Sequence, residues 1–266
     1  MARRPLRFAT FLAPNLYSVY ASIARAVQEE LGIPTELLVG SCYEQLYEEA
    51  DVAFICGLAY IEVQRDGVSP VEPIAAPVLR GERYQRKPIY FSDVIVRRDS
   101  AFQSFADLRG CTWSFNEPYS HSGYGITRYH LARLGETNGF FGQTVEAGWH
   151  ERSIQLVASG DVDASAIDSQ VLAVELRDNP ELAHHLRVIE TMGPSTIQPV
   201  VVARSLPNAL KTELRDIIVA LGCNGHAEKC LEHGLVEHFV RVSDADYQDL
   251  RQMRDLCAAV NFLTLR

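Results

Sequence analysis

No stretch of this 266-residue chain approaches the roughly 18 apolar residues of a membrane-spanning helix, and no lipid-attachment cysteine sits near its start. The opening Met1-Ala2-Arg3-Arg4-Pro5 is basic, but Leu6–Leu12 is interrupted by Arg7 and Thr10 and followed by Pro14-Asn15. It therefore lacks the unbroken apolar core and the small-residue cleavage site of a secretory leader. As written, the chain is expected to be cytoplasmic, or periplasmic if a leader was removed beforehand. Positive charge is short as well: 25 Lys and Arg face 34 Asp and Glu, a formal net charge of −9. Nucleic-acid binding and docking on an anionic bilayer both need a basic face, so neither is expected. The six cysteines contain no C-x-x-C, which excludes a zinc ribbon or a dithiol redox motif. Cys42, Cys56, Cys111 and Cys257 stand alone among apolar or small neighbours and read as buried free thiols. Cys223 and Cys230, seven apart, leave a disulfide open in an oxidising compartment. There is no Ser-His-Asp order, H-E-x-x-H, G-x-G-x-x-G or P-loop, and no internal repeat. No catalytic residue, metal ligand or cofactor is expected.

What the chain does have is alternation of strand and helix patterns. Leu6–Leu12, Thr35–Val39, Asp51–Cys56, Ile74–Leu79 and Ile89–Arg97 are short apolar or β-branched runs that predict strands. Val19, Ile23, Val27 and Leu31 recur every four residues and stop at Gly32, which predicts a helix with a C-terminal glycine. The pattern restarts after Arg98-Asp99-Ser100. A short helix over Ser104–Gly110, strands over Thr112–Phe115, Val162–Ile167, Leu186–Glu190 and Pro199–Ala203, and helices to Leu134, Ser159 and Arg177 are expected. The tail reads as helical, with Leu210, Leu214, Ile217, Ile218 and Leu221 on one face and Tyr247, Leu250, Cys257 and Val260 on another. The fold class that follows is α/β with two lobes, each a mainly parallel sheet flanked by helices. Residues 1–96 plus 200–266 are assigned to a discontinuous first lobe and 97–199 to the second, with a ligand cleft between them.

The segment richest in chemistry is Asn116-Glu117-Pro118-Tyr119-Ser120-His121-Ser122-Gly123-Tyr124, which follows a strand and opens a helix. A helix start carries unpaired N–H groups and partial positive charge, so it holds an oxyanion without lysine or arginine. Ser120 and Ser122 add two hydroxyl donors; the plainer alternative is that one of them only caps the helix.

This segment, preceded by Asp107-Leu108-Arg109-Gly110, resembles the phosphonate/phosphate-type substrate-binding proteins of ABC importers, whose DL-G…F-D/E-P-S-T-S-G stretch supplies a phosphonate-binding loop. Gly148-Trp149-His150-Glu151 is similar to the family's G-H-E turn with a tryptophan inserted, and Gly160–Ser169 to its G-x-V-D-A-A-A-x-D-S strand. Asp51-Val52-Ala53-Phe54 with Gly57 and Tyr60 is similar to its D-I-A-W/F-x-G strand, so the likeness runs from about residue 6 to 221. The resemblance implies the type II binding-protein fold and a monomer that captures a small oxyanion and passes it to an ABC permease. It implies Ser120, His121, Ser122 and Gly123 as the anion loop, His150 as a donor to a phosphonate oxygen, and Tyr43 and Tyr60 as first-lobe cleft residues. Asp168 lies on the family strand just before Gln170.

Departures from the pattern narrow the ligand. His121 stands where the family has threonine. Gln170 and Gln198 stand where aminophosphonate binders place carboxylates against the ligand's ammonium group. A desolvated ammonium without a paired anion is costly, so the expected ligand carries no amine: phosphate, phosphite, a simple phosphonate or a sulfonate. If His121 and His150 both meet the anion, its charge should raise their pKa values, and affinity should fall as pH rises. The alternative reading is a cytosolic enzyme or ligand sensor on the same fold, with Asp168, His150 and Cys56 as candidate players.

Overall fold

The structure, a computed structural model, describes residues 4–63, 68–221 and 228–265. The chain begins with β1 (Leu6–Thr10), α1 (Tyr17–Leu31), β2 (Thr35–Val39), α2 (Gln45–Glu48), β3 (Val52–Phe54), α3 (Gly57–Glu62) and β4 (Val71–Leu79). It continues through β5 (Ile89–Arg97), β6 (Thr112–Phe115), α4 (Ile126–Leu134), β7 (Gln143–Glu146), α5 (His150–Ser159), β8 (Ala164–Asp168), α6 (Ser169–Asp178), α7 (Leu182–His185) and β9 (Leu186–Thr196). It closes with β10 (Val200–Ala203), α8 (Asn208–Ala220), α9 (Glu228–His233), β11 (Val236–Arg241) and α10 (Gln248–Ala259). The periodic residues of α1, Val19, Ile23 and Val27, are buried, and Gly32 ends the helix at φ 62°, a left-handed position where glycine has no Cβ to clash.

Two compact units divide the chain: one runs to Ile89 and resumes over Thr196–Gln248, the other is Tyr90–Ser195 with Asp249–Arg266. The sheet of the first unit has the order β11-β4-β10-β3-β1-β2. β1 runs parallel to β2 and β3, whereas β10 is antiparallel to β3 and β4, and β11 is antiparallel to β4. The sheet is therefore mixed rather than mainly parallel. A parallel neighbour needs a long crossover connection, and β10 and β11 reach the sheet from other parts of the chain, outside the βαβ series.

The second unit's sheet has the order β7-β6-β8-β5-β9, with β6 parallel to β7 and β8, and β5 antiparallel to β8. Strand alternation sends Val94, Val96, Ala164 and Ala166 to one core cluster and Ile95 and Ile167 to the other. One face is filled by aromatics, with Trp113 stacked on Phe141 at 4.6 Å. The other is covered by Ile154 and Val157 of α5 and Leu172 of α6. Burying each such large side chain contributes about 1.5–3 kcal/mol.

Three features differ from the sequence expectation. The crossings fall between 89 and 90 and between 195 and 196, so β5 from Tyr90 onward goes with the second unit. The last helix goes with the second unit rather than the first. Phe262 and Leu265 sink into the Trp113 cluster, Arg128 donates to the Leu263 carbonyl at 2.6 Å, and the Leu265 N–H donates to the Tyr124 hydroxyl at 3.1 Å. The tail is not wholly helical either, since Val236–Arg241 pairs with β4. A register shift between Val236 and His238 breaks the two-residue alternation there, which removes the sequence signal. Cys56, Cys111 and Cys257 are buried thiols, but Cys42 is exposed, and Cys223 lies outside the described residues. Among the described residues no helix is long and apolar enough to cross a membrane.

Candidate functional site

Three strands of the second unit, β7, β6 and β8, run side by side in the same direction. In an open α/β sheet the carboxyl ends of such strands present loops and helix starts together at one edge. Here the loop after β6 delivers Ser120–Gly123, the turn after β7 delivers His150 at the start of α5, and the end of β8 delivers Asp168 and Gln170. The β6–β7 pairing continues into the loops: Ala147 donates to the Phe115 carbonyl and Gly148 to the Asn116 carbonyl, both at 2.8 Å. Buried serines fix the layer beneath, with Ser114 Oγ 2.9 Å from Ser153 Oγ of α5 and Ser165 Oγ donating to the Ser114 carbonyl at 2.8 Å.

Ser120 is in extended conformation and caps a widened helical turn over His121–Gly125 that leads into α4; its Oγ accepts from the Gly123 N–H at 3.2 Å. The capping role expected as the plainer alternative is thus real, and it does not consume the loop. Ser122 Oγ lies 2.8 Å from His150 Nε2 and 3.4 Å from Ser120 Oγ, forming a buried chain of two hydroxyls and an imidazole. Gly123 sits where a Cβ would fall on Asn116 Oδ1 and lie 3.3 Å from His150 Cε1, so the packing of Asn116 against the loop requires glycine there. Asn116 Oδ1 and His150 Nδ1 are both buried without a hydrogen-bond partner, and polar atoms left this way inside a fold are costly.

Both histidines are neutral in this state. Burial pushes His150 down to about 3. Burial, helped by repulsion from the Arg128 guanidinium, pushes His121 down to about 3. Without an anion, neither ring presents positive charge to the loop. His121 Nε2 lies 2.9 Å from Ser195 Oγ.

The structure brings Ser120, His121, Ser122, Gly123 and His150 together in the second unit. Asp168, one strand over, is used as the cap of α6, where its Oδ1 accepts from Gln170 N at 2.7 Å and Val171 N at 3.3 Å. That occupies the α6 amides with a carboxylate and leaves Gln170 as the neutral side chain at this strand end. Tyr43, Tyr60 and Gln198 belong to the first unit. Tyr43 is half-buried and stacks on Phe11 at 4.9 Å. Gln198 is half-buried between β9 and β10. The Tyr60 ring is buried edge-on to Tyr247 at 5.3 Å and its hydroxyl donates to Asp244 at 2.5 Å, both within the first unit. Sequence reasoning missed Tyr90 and Ser195 as neighbours of the loop; Ser195 is 74 residues from its partner and had no local signal.

A sequence model described as ABC transporter, phosphonate, periplasmic substrate-binding protein matches residues 8–247. The phosphonates-binding periplasmic protein of Escherichia coli (strain K12) is 23% identical over 251 residues, which span 90% of this chain and 72% of that protein. Among solved structures, a binding protein component of an ABC phosphonate transporter from Pseudomonas aeruginosa superposes with a TM-score of 0.82 at 22% identity, covering 95% of this chain and 86% of the other. PhnD1 from Prochlorococcus marinus (MIT 9301), solved in complex with methylphosphonate, superposes with a TM-score of 0.83 at 18% identity, covering 97% and 98%. Two α/β units with mixed sheets are the architecture these binding proteins share with it.

Proposed function

Because the chain belongs to the family of periplasmic substrate-binding proteins of phosphonate ABC transporters, we propose that it captures a small oxyanion without an amine and delivers it to an ABC permease. Phosphate, phosphite and simple phosphonates are the favoured ligands, and the periplasm is the proposed place of action. The family is one of binding proteins, so the enzyme reading is set aside. The proposed site is the Ser120–Gly123 loop with His150 in the second unit; Tyr43 and Gln198 of the first unit are proposed as further ligand-binding residues.

The observation that carries the reading is the buried Ser122–His150 pair, 2.8 Å apart, at the start of a helix. Hydroxyl, imidazole N–H and main-chain amides are donors of the kind that surround a phosphoryl oxygen, and burial makes each bond stronger than it would be in water. The absence of an amine in the ligand is supported by the neutral side chain of Gln170 and by the commitment of the nearby Asp168 carboxylate to two backbone N–H groups. The methylphosphonate bound in the Prochlorococcus marinus protein also lacks an amine.

Thermal-shift titration with phosphate, phosphite, methylphosphonate and a sulfonate tests the reading. A ligand at about 100 times its dissociation constant adds about 2.7 kcal/mol of stability. In Ser122→Ala that ligand's affinity should fall by about 1–3 kcal/mol, the worth of a buried hydrogen bond to a charged oxygen. Undiminished stabilisation of the variant would move the site elsewhere.

A further inference from the structure

His121 lies in the middle of the proposed anion loop, and its side chain reaches Ser195 at the end of β9. The ring is 1% exposed, and Nε2 lies 2.9 Å from the hydroxyl of Ser195, itself 2% exposed. On another side it meets Tyr90, with ring centroids 6.3 Å apart and planes tilted by 53°. These two partners hold particular places in the chain. Tyr90 is the first residue of the second unit on β5, and Ser195 is the last before the chain returns to the first unit on β9. The strands on which the chain enters and leaves the unit are neighbours in its sheet. One imidazole therefore touches both of them at their crossing ends. An imidazole Nε2 stands further from the backbone than a hydroxyl on Cβ, so this contact depends on the histidine that replaces the family's threonine.

We propose that His121 is a positioning residue that ties the Ser120–Gly123 loop to the two crossing strands, so that the order of the loop's backbone amides depends on the His121–Ser195 hydrogen bond. The inference rests on the reading of the loop as the anion site for its purpose, but not for its physics. A buried side chain–side chain bond between segments far apart in sequence restrains both, and a loop is otherwise the part of a domain that opens most readily. The same bond gives the loop a mechanical link to the chain crossings, whatever ligand it holds.

The test is amide hydrogen exchange on the unliganded full chain. Ser195→Ala removes the partner without touching the loop. Exchange over residues 121–125 should speed up about tenfold, as expected when one buried hydrogen bond is lost, while β6 and α5 keep their protection. Ser195→Thr, which keeps the hydroxyl, should restore the slow exchange. His121→Gln, whose amide can still reach Ser195, should be better protected there than His121→Ala. Unchanged exchange at 121–125 in Ser195→Ala, or a rise spread evenly over the whole unit, would overturn the proposal. Calorimetry with methylphosphonate and inorganic phosphate on the same proteins separates the two ideas. If the wild-type chain binds neither, the binding reading falls, and the exchange comparison still decides the role of His121.

Discussion

An imidazole in water titrates near pH 6.5, whereas His121 and His150, walled off from solvent, hold out to about 3. The folded-state value lies below the unfolded one, so below about pH 6.5 the unfolded chain takes up protons that the folded chain refuses. Stability should therefore be highest above that pH and fall as pH drops from about 6.5 towards about 3, by on the order of 1 kcal/mol per pH unit for each ring. Urea unfolding at pH 7, 6 and 5 reads this directly, and His150→Gln should flatten the slope; an equally steep profile in that variant would contradict the assignment. Neutral rings also mean that affinity for a sulfonate, whose charge does not change in this range, is constant between about pH 5.5 and 8. A rise in affinity towards acid would show an imidazolium facing the ligand. Tyr60 is decided at the same scale. Its hydroxyl bonds Asp244, which is exposed, so Tyr60→Phe should cost about 1 kcal/mol of stability and leave anion affinity unchanged. Loss of affinity with stability intact would return Tyr60 to the binding site.

Among the elements, the three co-directional strands β7, β6 and β8 do most to create the site, since their ends place Ser120–Gly123, His150 and Gln170 along one edge. Gly123 packs closely against Asn116 of its own loop and against His150. In Gly123→Ala the new methyl group lands on Asn116 Oδ1, so the variant should lose about 1–3 kcal/mol of stability and most of its anion affinity, measured by thermal unfolding and calorimetry. Much of this layer was legible in the chain. The bounds of β5 and β6 coincide with their apolar runs, and Gly32 and Gly160 end α1 and α5 in left-handed conformation at the places where the periodicity stops. What was hidden had physical cause. The bulge at Val236–His238 erased the alternation of β11, and a short local window cannot foresee that Tyr60 meets Asp244 or that His121 meets Ser195. Asp168, placed by its family motif at the strand end, also caps α6 there.

For the molecule as a whole, a net charge of −9 argues against polyanionic partners and is compatible with capture of a small anion. The proposed site works through hydroxyls, imidazole N–H groups and helix-start amides, whose effect is local, and charges further off than about 8–10 Å are screened at ordinary salt. The two-unit division could be read from the restart of the α/β pattern, but the allegiance of the last residues could not. It is set by Phe262 and Leu265 packing on a core assembled from residues more than a hundred positions earlier, such as Trp113. The central claim is that this binding protein selects an oxyanion lacking an amine. Isothermal calorimetry of methylphosphonate against 2-aminoethylphosphonate tests it most directly. Methylphosphonate is expected to bind about tenfold more tightly or better, because a buried ammonium beside the neutral side chain of Gln170 would lack a paired carboxylate. A clear preference for 2-aminoethylphosphonate would contradict the account.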